Sequence, residues 1–326
     1  MGAWRAVQTV VVAWGLVGCT GEVTVSGAAV SEPTLESRVA ELASPNGRNL
    51  NGRNLNGRNL NSSELGQALV SVNLAGVRAA SSVDDPMSSV WLQGSVFHGF
   101  NAGQAISGTA FLGARFVGNL GDGQTVDLRV DSIQPGTQAN ADVWSYRVSF
   151  LDTVDGVWKP ACPAADGSAL DAIPVGGRWN YQQGVAGGGA RIDDPTVFTF
   201  ACEDAAIAKC VRFGYRPWAT TADGRSLADH HQACTRMVRA DFCGDGTSHT
   251  VDGSWVNLYD TAGVQQDTEA WLLEAEWNAE GALCSTASTR AGQQVSCPNK
   301  PQLSACGQVG HFRTGTLLMS EVPATP

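Results

Sequence analysis

The sequence predicts an α+β fold: an antiparallel β-rich lobe followed by a disulfide-rich α+β lobe, the two forming one composite domain. Three observations predict it. First, Val126, Leu128 and Val130 alternate with Asp127, Arg129 and Asp131, and Trp144, Tyr146, Val148 and Phe150 alternate with Ser145, Arg147 and Ser149. A period of two is the signature of a half-buried strand. Second, Asp-Gly occurs six times, starting at Asp122, Asp155, Asp166, Asp223, Asp245 and Asp252, and that dipeptide favours hairpin turns because both positions tolerate positive φ. Third, eight of the nine cysteines fall between Cys162 and Cys306, around two helix-like segments.

The N-terminus carries an export signal. Arg5 is the only formal side-chain charge before Glu22, and Ala6 to Gly18 is apolar apart from Gln8 and Thr9. A helix needs about 20 apolar residues to cross a bilayer, so this run reads as the apolar region of a signal peptide covering residues 1–18. Leu16-Val17-Gly18-Cys19 resembles a bacterial lipobox, which implies cleavage before Cys19 and a lipid on its sulfur. Two or more acyl chains anchor stably where one does not. The mature chain is therefore expected at the membrane through Cys19, in the cell envelope and on the outer membrane.

Residues 19–88 read as a tether. Asn46-Gly-Arg-Asn-Leu50 repeats at Asn51 and Asn56 and decays through Asn61-Ser-Ser-Glu-Leu65, placing leucine at 50, 55, 60 and 65. This is similar to a degenerate pentapeptide repeat, but three clear copies over residues 46–65 are too few to bury a solenoid face. A flexible tether is the expectation, with a domain boundary at Asp84-Asp85-Pro86 because proline and its predecessor resist regular structure.

Residues 89–326 read as the globular domain, β-rich over 89–160 and cysteine-rich over 161–310. Ala105 to Val117 is a further strand candidate, weakened by Gly108 and Gly113. Glu203 and Asp204 would open one helix that Lys209 and Arg212 close, with Gly214 after it. Ser226 and Asp229 resemble a capping box for a second helix, whose apolar stripe runs Leu227, His231, Cys234, Val238 and which Gly244 stops. Ser254–Tyr259 and Trp271–Trp277 read as later strands. In the latter, Trp271, Leu273, Ala275 and Trp277 share one face, and Glu274 and Glu276 are expected on a solvated one.

Removing Cys19 leaves Cys162, Cys202, Cys210, Cys234, Cys243, Cys284, Cys297 and Cys306, an even set that reads as a disulfide framework in an exported chain. Cys202 and Cys210 on one helix would lie about 12 Å apart, too far to bridge each other. Connectivity stays open. After removal of residues 1–18 the chain has 20 Lys+Arg (21 minus Arg5) against 31 Asp+Glu, a net charge of −11. That balance gives no electrostatic footprint for nucleic acid.

The run Cys202–Cys210, then Gly214-Tyr-Arg-Pro-Trp218, then His231-Gln-Ala-Cys234 leading into Arg239-Ala-Asp-Phe-Cys-Gly-Asp-Gly246 resembles the ADYC-domain family of bacterial exported proteins, named for an Ala-Asp-Tyr-Cys motif. Gly263, Trp277 and Gly281-Ala-Leu-Cys284 extend the likeness, which spans roughly residues 90–310. It implies a lipoprotein or secreted protein and carries no mechanism. Position 242 is Phe where the motif has Tyr, which implies a packing role for the ring.

Candidate chemistry is sparse. Asp241, Asp245 and Asp252 fall at positions 1, 5 and 12 of an EF-hand-like loop, but Cys243 stands at position 3 and Asp, not Glu, at position 12. The expectation is therefore no metal and no cofactor, with calcium near these three residues as the alternative. Asp241 opposes its helix dipole and is expected to pair with Arg236 or Arg239 or to cap nearby amides. His231 and Cys234 share an apolar stripe and read as a core histidine and a bridged cysteine. Gly-x-Ser-x-Gly and His-Glu-x-x-His are absent from the sequence. No catalytic residue is assigned. The chain reads as a membrane-tethered binding or scaffolding module with a protein or glycan partner. The alternative is an extracytoplasmic hydrolase with an acid-based site.

Overall fold

The structure, a computed structural model, describes residues 48–50 (backbone only), 69–81, 85–164, 167–182, 188–250, 254–266, 271–292, 295–298, 300–308 and 311–324. Its first sheet is antiparallel and has seven strands. They are β2 (Leu69–Asn73), β6 (Arg115–Leu120), β7 (Thr125–Gln134), β8 (Ser145–Leu151), β9 (Trp158–Pro160), β10 (Ala172–Gly176) and β13 (Val197–Cys202), in the order β10-β13-β2-β6-β7-β8-β9. Ala172 also pairs with Tyr146, so β10 meets β8 and the sheet closes on itself. Val126, Leu128 and Val130 point into the closed sheet, as the alternation predicts, and Asp122-Gly123 and Asp155-Gly156 make the turns before β7 and β9.

Every residue of β13 is buried, because both faces of that strand are covered. Phe198 and Phe200 point inward to a ring cluster with Phe97, Phe116 and Tyr146, centroids 4.7–6.4 Å apart. Ala201 faces outward, with Ile173 and Val175, onto Ile207, Ala208 and Val211 of helix α1 (Ala206–Arg212). The hairpin sheet β3 (Ser88–Gln93), β4 (Val96–Asn101) and β5 (Gln104–Ser107) lays Phe97 into that same ring cluster. Two strands of two residues each, Arg178–Trp179 (β11) and Arg191–Ile192 (β12), pair as a small antiparallel ribbon.

The second sheet has six strands, ordered β1-β14-β18-β15-β16-β17: β1 (Arg48–Leu50), β14 (Ser254–Asp260), β15 (Leu272–Asn278), β16 (Gly281–Ser285), β17 (Ser304–Ala305) and β18 (Leu318–Val322). Helix α2 (Ala228–Arg239) packs on it through Met237 and Val238 against Ala275, Trp277 and Leu318. Cys210–Cys234 joins α1 to α2, and so ties the two sheets' cores through the helix pair. Among the described residues the fold is mostly β with two short helices.

Several expectations need correcting. Leu69–Asn73 is not tether: it lies between β6 and β13 in the first sheet and is almost wholly buried, so the globular part begins at least 15 residues before Asp84-Asp85-Pro86. The first repeat copy contributes Arg48–Leu50 as an edge strand on Ser254–Val256, while Leu55, Leu60 and Leu65 lie outside the described residues. The division at residue 160 also fails. β10 and β13, from the cysteine-rich part, belong to the first sheet, because Ala172, Phe198, Phe200 and Cys202 are apolar enough to complete its core. Ala105 to Val117 splits into β5, a 3-10 turn over Gly108–Phe111 and β6, with positive φ at Gly108 and Gly113 breaking the run.

Candidate functional site

The motif resembling Ala-Asp-Tyr-Cys sits at the C-terminal end of α2. The helix ends at Ala240, not at Gly244. Ala240 takes the left-handed conformation (φ 51°, ψ 41°), its N–H bonds Met237 O, and the N–H of Asp241 bonds Arg236 O at 2.8 Å. This is a Schellman stop made without glycine, at a backbone cost of roughly 1 kcal/mol. At the other end, Ser226 Oγ accepts from Ala228 N–H, and no reciprocal capping box forms with Asp229.

The stop turns Asp241 inward, where it is fully buried. Its Oδ2 accepts from Arg236 Nη1 at 2.5 Å and from Gly246 N–H at 2.9 Å, and Oδ1 accepts from Asp245 N–H at 3.2 Å. Arg236 in turn donates to Gly188 O and Ala279 O. Asp241 is thus paired with Arg236 and caps amides, as its position opposing the helix dipole requires. Asp245 accepts from Thr247 N–H, and Asp252 lies outside the described residues. Arg239 donates to Gly246 O, and burial lowers its affinity for its proton.

Phe242 buries its ring against Trp277, centroids 4.9 Å apart, and meets His249 edge-on. Cys243 bridges to Cys297. The chain then passes very close to the β15–β16 turn, where Ala282 N–H bonds Phe242 O at 3.0 Å. A Cβ on Gly244 would fall 1.7 Å from Glu280 O, and Gly244 has φ +67°. Only glycine fits there. Ala240, Asp241, Phe242 and Cys243 therefore stop a helix, anchor an arginine, fill a core and staple a loop.

Residues 108–291 match the ADYC domain. The chain belongs to the ADYC-domain family. No curated protein and no solved structure matches it. The ADYC region thus spans the closed sheet from Gly108 onward and most of the second lobe.

A second buried ionic cluster also meets the C-terminal end of α2, and it corrects the expectation for β15. Glu274 and Glu276 are fully buried, not solvated, because the loops holding Arg290 and Arg313 cover that face. Glu274 accepts a forked pair from Arg290 at 2.8–3.0 Å, the Arg290 N–H at 2.9 Å and the Ser320 hydroxyl at 2.8 Å. Arg290 also donates to Met237 O and Val238 O, a cation set on the carbonyl end of α2. Glu276 accepts from Arg313 N–H at 3.0 Å and Thr316 Oγ1 at 2.5 Å. Glu276, Cys284 and Cys306 bring potential metal-ligand atoms within 4.8 Å. Both sulfurs are spent in the Cys284–Cys306 disulfide, which leaves no thiolate to bind a cation.

The remaining sequence-derived residues are distributed through the fold. Cys162 pairs with Cys202 in the first core, and Cys210 with Cys234, so Cys202 and Cys210 each reach another segment, although the shared helix from which that was expected does not form. Cys202 ends β13 and does not lie on α1. His231 is a core histidine: its Nε2–H donates to Ile207 O at 3.1 Å, and burial pushes its pKa down to about 3. Cys19 lies outside the described residues. A cleft of about 450 Å³ opens between α2, β12 and the β15–β16 turn; it is lined by Arg191, Arg236 and Lys300 and by Asp193, Asp229 and Glu280. Arg236 is committed to Asp241, Arg191 to Asp193 at 2.7 Å, and Lys300 to Glu280 O at 2.9 Å.

Proposed function

We propose that this chain is an exported, lipid-anchored binding or scaffolding module of the bacterial cell envelope, held through Cys19 and carrying the ADYC domain at the end of a linker. The observation that carries the binding reading is the internal use of the groups that would otherwise do chemistry. Asp241, Glu274 and Glu276 are each neutralised by an arginine, and His231 holds a carbonyl inside the core. Acid–base catalysis asks for the opposite, a titratable group free to meet substrate.

Two facts support the location. Four disulfides fit an oxidising, extracytoplasmic compartment. No helix among the described residues is long and apolar enough to cross a membrane, and this reading places the anchor at Cys19, in the lipobox-like Leu16–Cys19 segment.

In vivo cross-linking of the full chain in its native envelope tests the binding role. The expected result is a discrete cross-linked species that persists in an Asp193→Ala, Glu280→Ala chain, which lacks two of the cleft's three acids. A chain that forms no cross-linked species from any surface position contradicts the binding role.

A further inference from the structure

From Met87 to Ala114 the chain carries no Asp, Glu, Lys or Arg, although its net charge is −10 and about one residue in six is charged. That stretch is the three-stranded sheet β3-β4-β5 with the 3-10 turn after it. One face of this sheet is core: Val90 and Phe97 are buried, and Leu92 and Ile106 pack beside them. The opposite face is aromatic and open. Trp91 is 41% exposed and Phe100 is 38% exposed. Trp91 pairs across the strands with His98, rings stacked at 5.6 Å and 16°, and the Phe100 ring lies 5.9 Å from Trp91.

The sheet is built to hold that face in place, with the Phe100 ring tilted 42° to Trp91. Ser89 and Val90 together oppose Gly99, a bulge with Ser89 at φ 56°. A bulge re-aims the side chains beyond it, and this one packs so tightly over Gly99 that a Cβ there would come within 3.1 Å of Ser89 O. Phe97, directly behind the platform, is locked among five other rings. The aromatic face is therefore preorganised, which reduces the ordering cost of binding. Gln93 and Ser107, uncharged and exposed hydrogen-bonding side chains, share the face of Trp91 and His98 by strand alternation.

We propose that Trp91, His98 and Phe100 form a platform for an uncharged glycan, a polysaccharide of pyranoses whose C–H faces stack on the rings while its hydroxyls bond the neighbouring Gln93 and Ser107. This rests on reading the chain as a binding module. The charge pattern selects the ligand. A nucleic acid or an anionic membrane would call for lysine or arginine around the rings, and the stretch has neither. A peptide partner would gain specificity from charge complementarity, which this face does not offer. A neutral sugar needs only what is present, aromatic surface with a polar rim.

The test is co-sedimentation of the full chain, in neutral detergent, with insoluble cellulose, chitin and mannan as probes and polygalacturonate as the charged control. Retention on at least one uncharged polysaccharide is expected, insensitive to 1 M salt (roughly a 3 Å screening length). Trp91→Ala should lower it about tenfold or more, as loss of a central aromatic anchor does, while Trp255→Ala, an exposed tryptophan on the other sheet, should leave it unchanged. Retention on none of the uncharged probes overturns the proposal, as does equal retention of Trp91→Ala. Binding to phosphatidylcholine vesicles alone, or a dimer that Trp91→Ala dissolves, also overturns it. Where the polysaccharide test fails, envelope cross-links that survive Trp91→Ala leave the binding module standing and remove only the glycan.

Discussion

Arg290 grips Glu274 with a forked guanidinium and, through Nη2, holds the carbonyl of Met237 at 2.7 Å. One side chain thus neutralises a fully buried acid on β15 and closes the end of α2. Glu274→Ala would leave that guanidinium buried and unpaired. Breaking one partner of a buried pair costs about 3–5 kcal/mol. Urea unfolding with the disulfides intact should show that loss, and Glu274→Gln with Arg290→Met should recover much of it. A Glu274→Ala chain unfolding at the wild-type midpoint would remove the pair from the fold's supports.

The depressed pKa of His231 makes a pH prediction. Its unfolded value is the ordinary 6.5 and its folded value is about 3. Between these the unfolded chain binds the extra proton, so stability is full above pH 6.5 and falls as pH drops toward 3. The slope is up to about 1.4 kcal/mol per pH unit. Between pH 6.5 and 5, before most carboxylates titrate, His231→Leu should flatten the stability profile. An unchanged slope in that variant would show that His231 does not carry it.

Cys210–Cys234 closes a loop of 24 residues between the two helices. Replacing both cysteines by alanine should lower stability by about 2–4 kcal/mol without disturbing the other three linkages in a non-reducing peptide map. A map that reveals reshuffled partners would contradict the connectivity.

Cys19 should take palmitate label in cells, and Cys19→Ala should lose it and move to the soluble fraction. Cys19→Ala is expected to retain four disulfides, since its sulfur takes no part in them. Label persisting in the variant would place the lipid elsewhere.

What the sequence disclosed followed from local physics. Strand β7 was legible because one of its faces is polar, and Asp241 because a carboxylate at a helix C-terminus demands a partner. Cysteine parity gave the framework, while the pairings depend on which loops the fold brings together. Glu274 and Glu276 misled because alternation shows that two faces differ, not that one is wet, and Arg290 and Arg313 lie too far along the chain to read as partners. Leu69–Asn73 was lost for a similar reason. Five residues after a repeat carry too little pattern, and only β6 and β13 define them as a strand. The platform left one trace, the absence of charge from Met87 to Ala114.

The central claim is that the family motif is a structural clasp, its acid spent on Arg236 and not on a substrate. Equilibrium urea unfolding of Asp241→Asn tests it most directly. The account predicts a loss of about 3–5 kcal/mol from the unpaired Arg236, with the four disulfides still formed. An Asp241→Asn chain as stable as the wild type would contradict it.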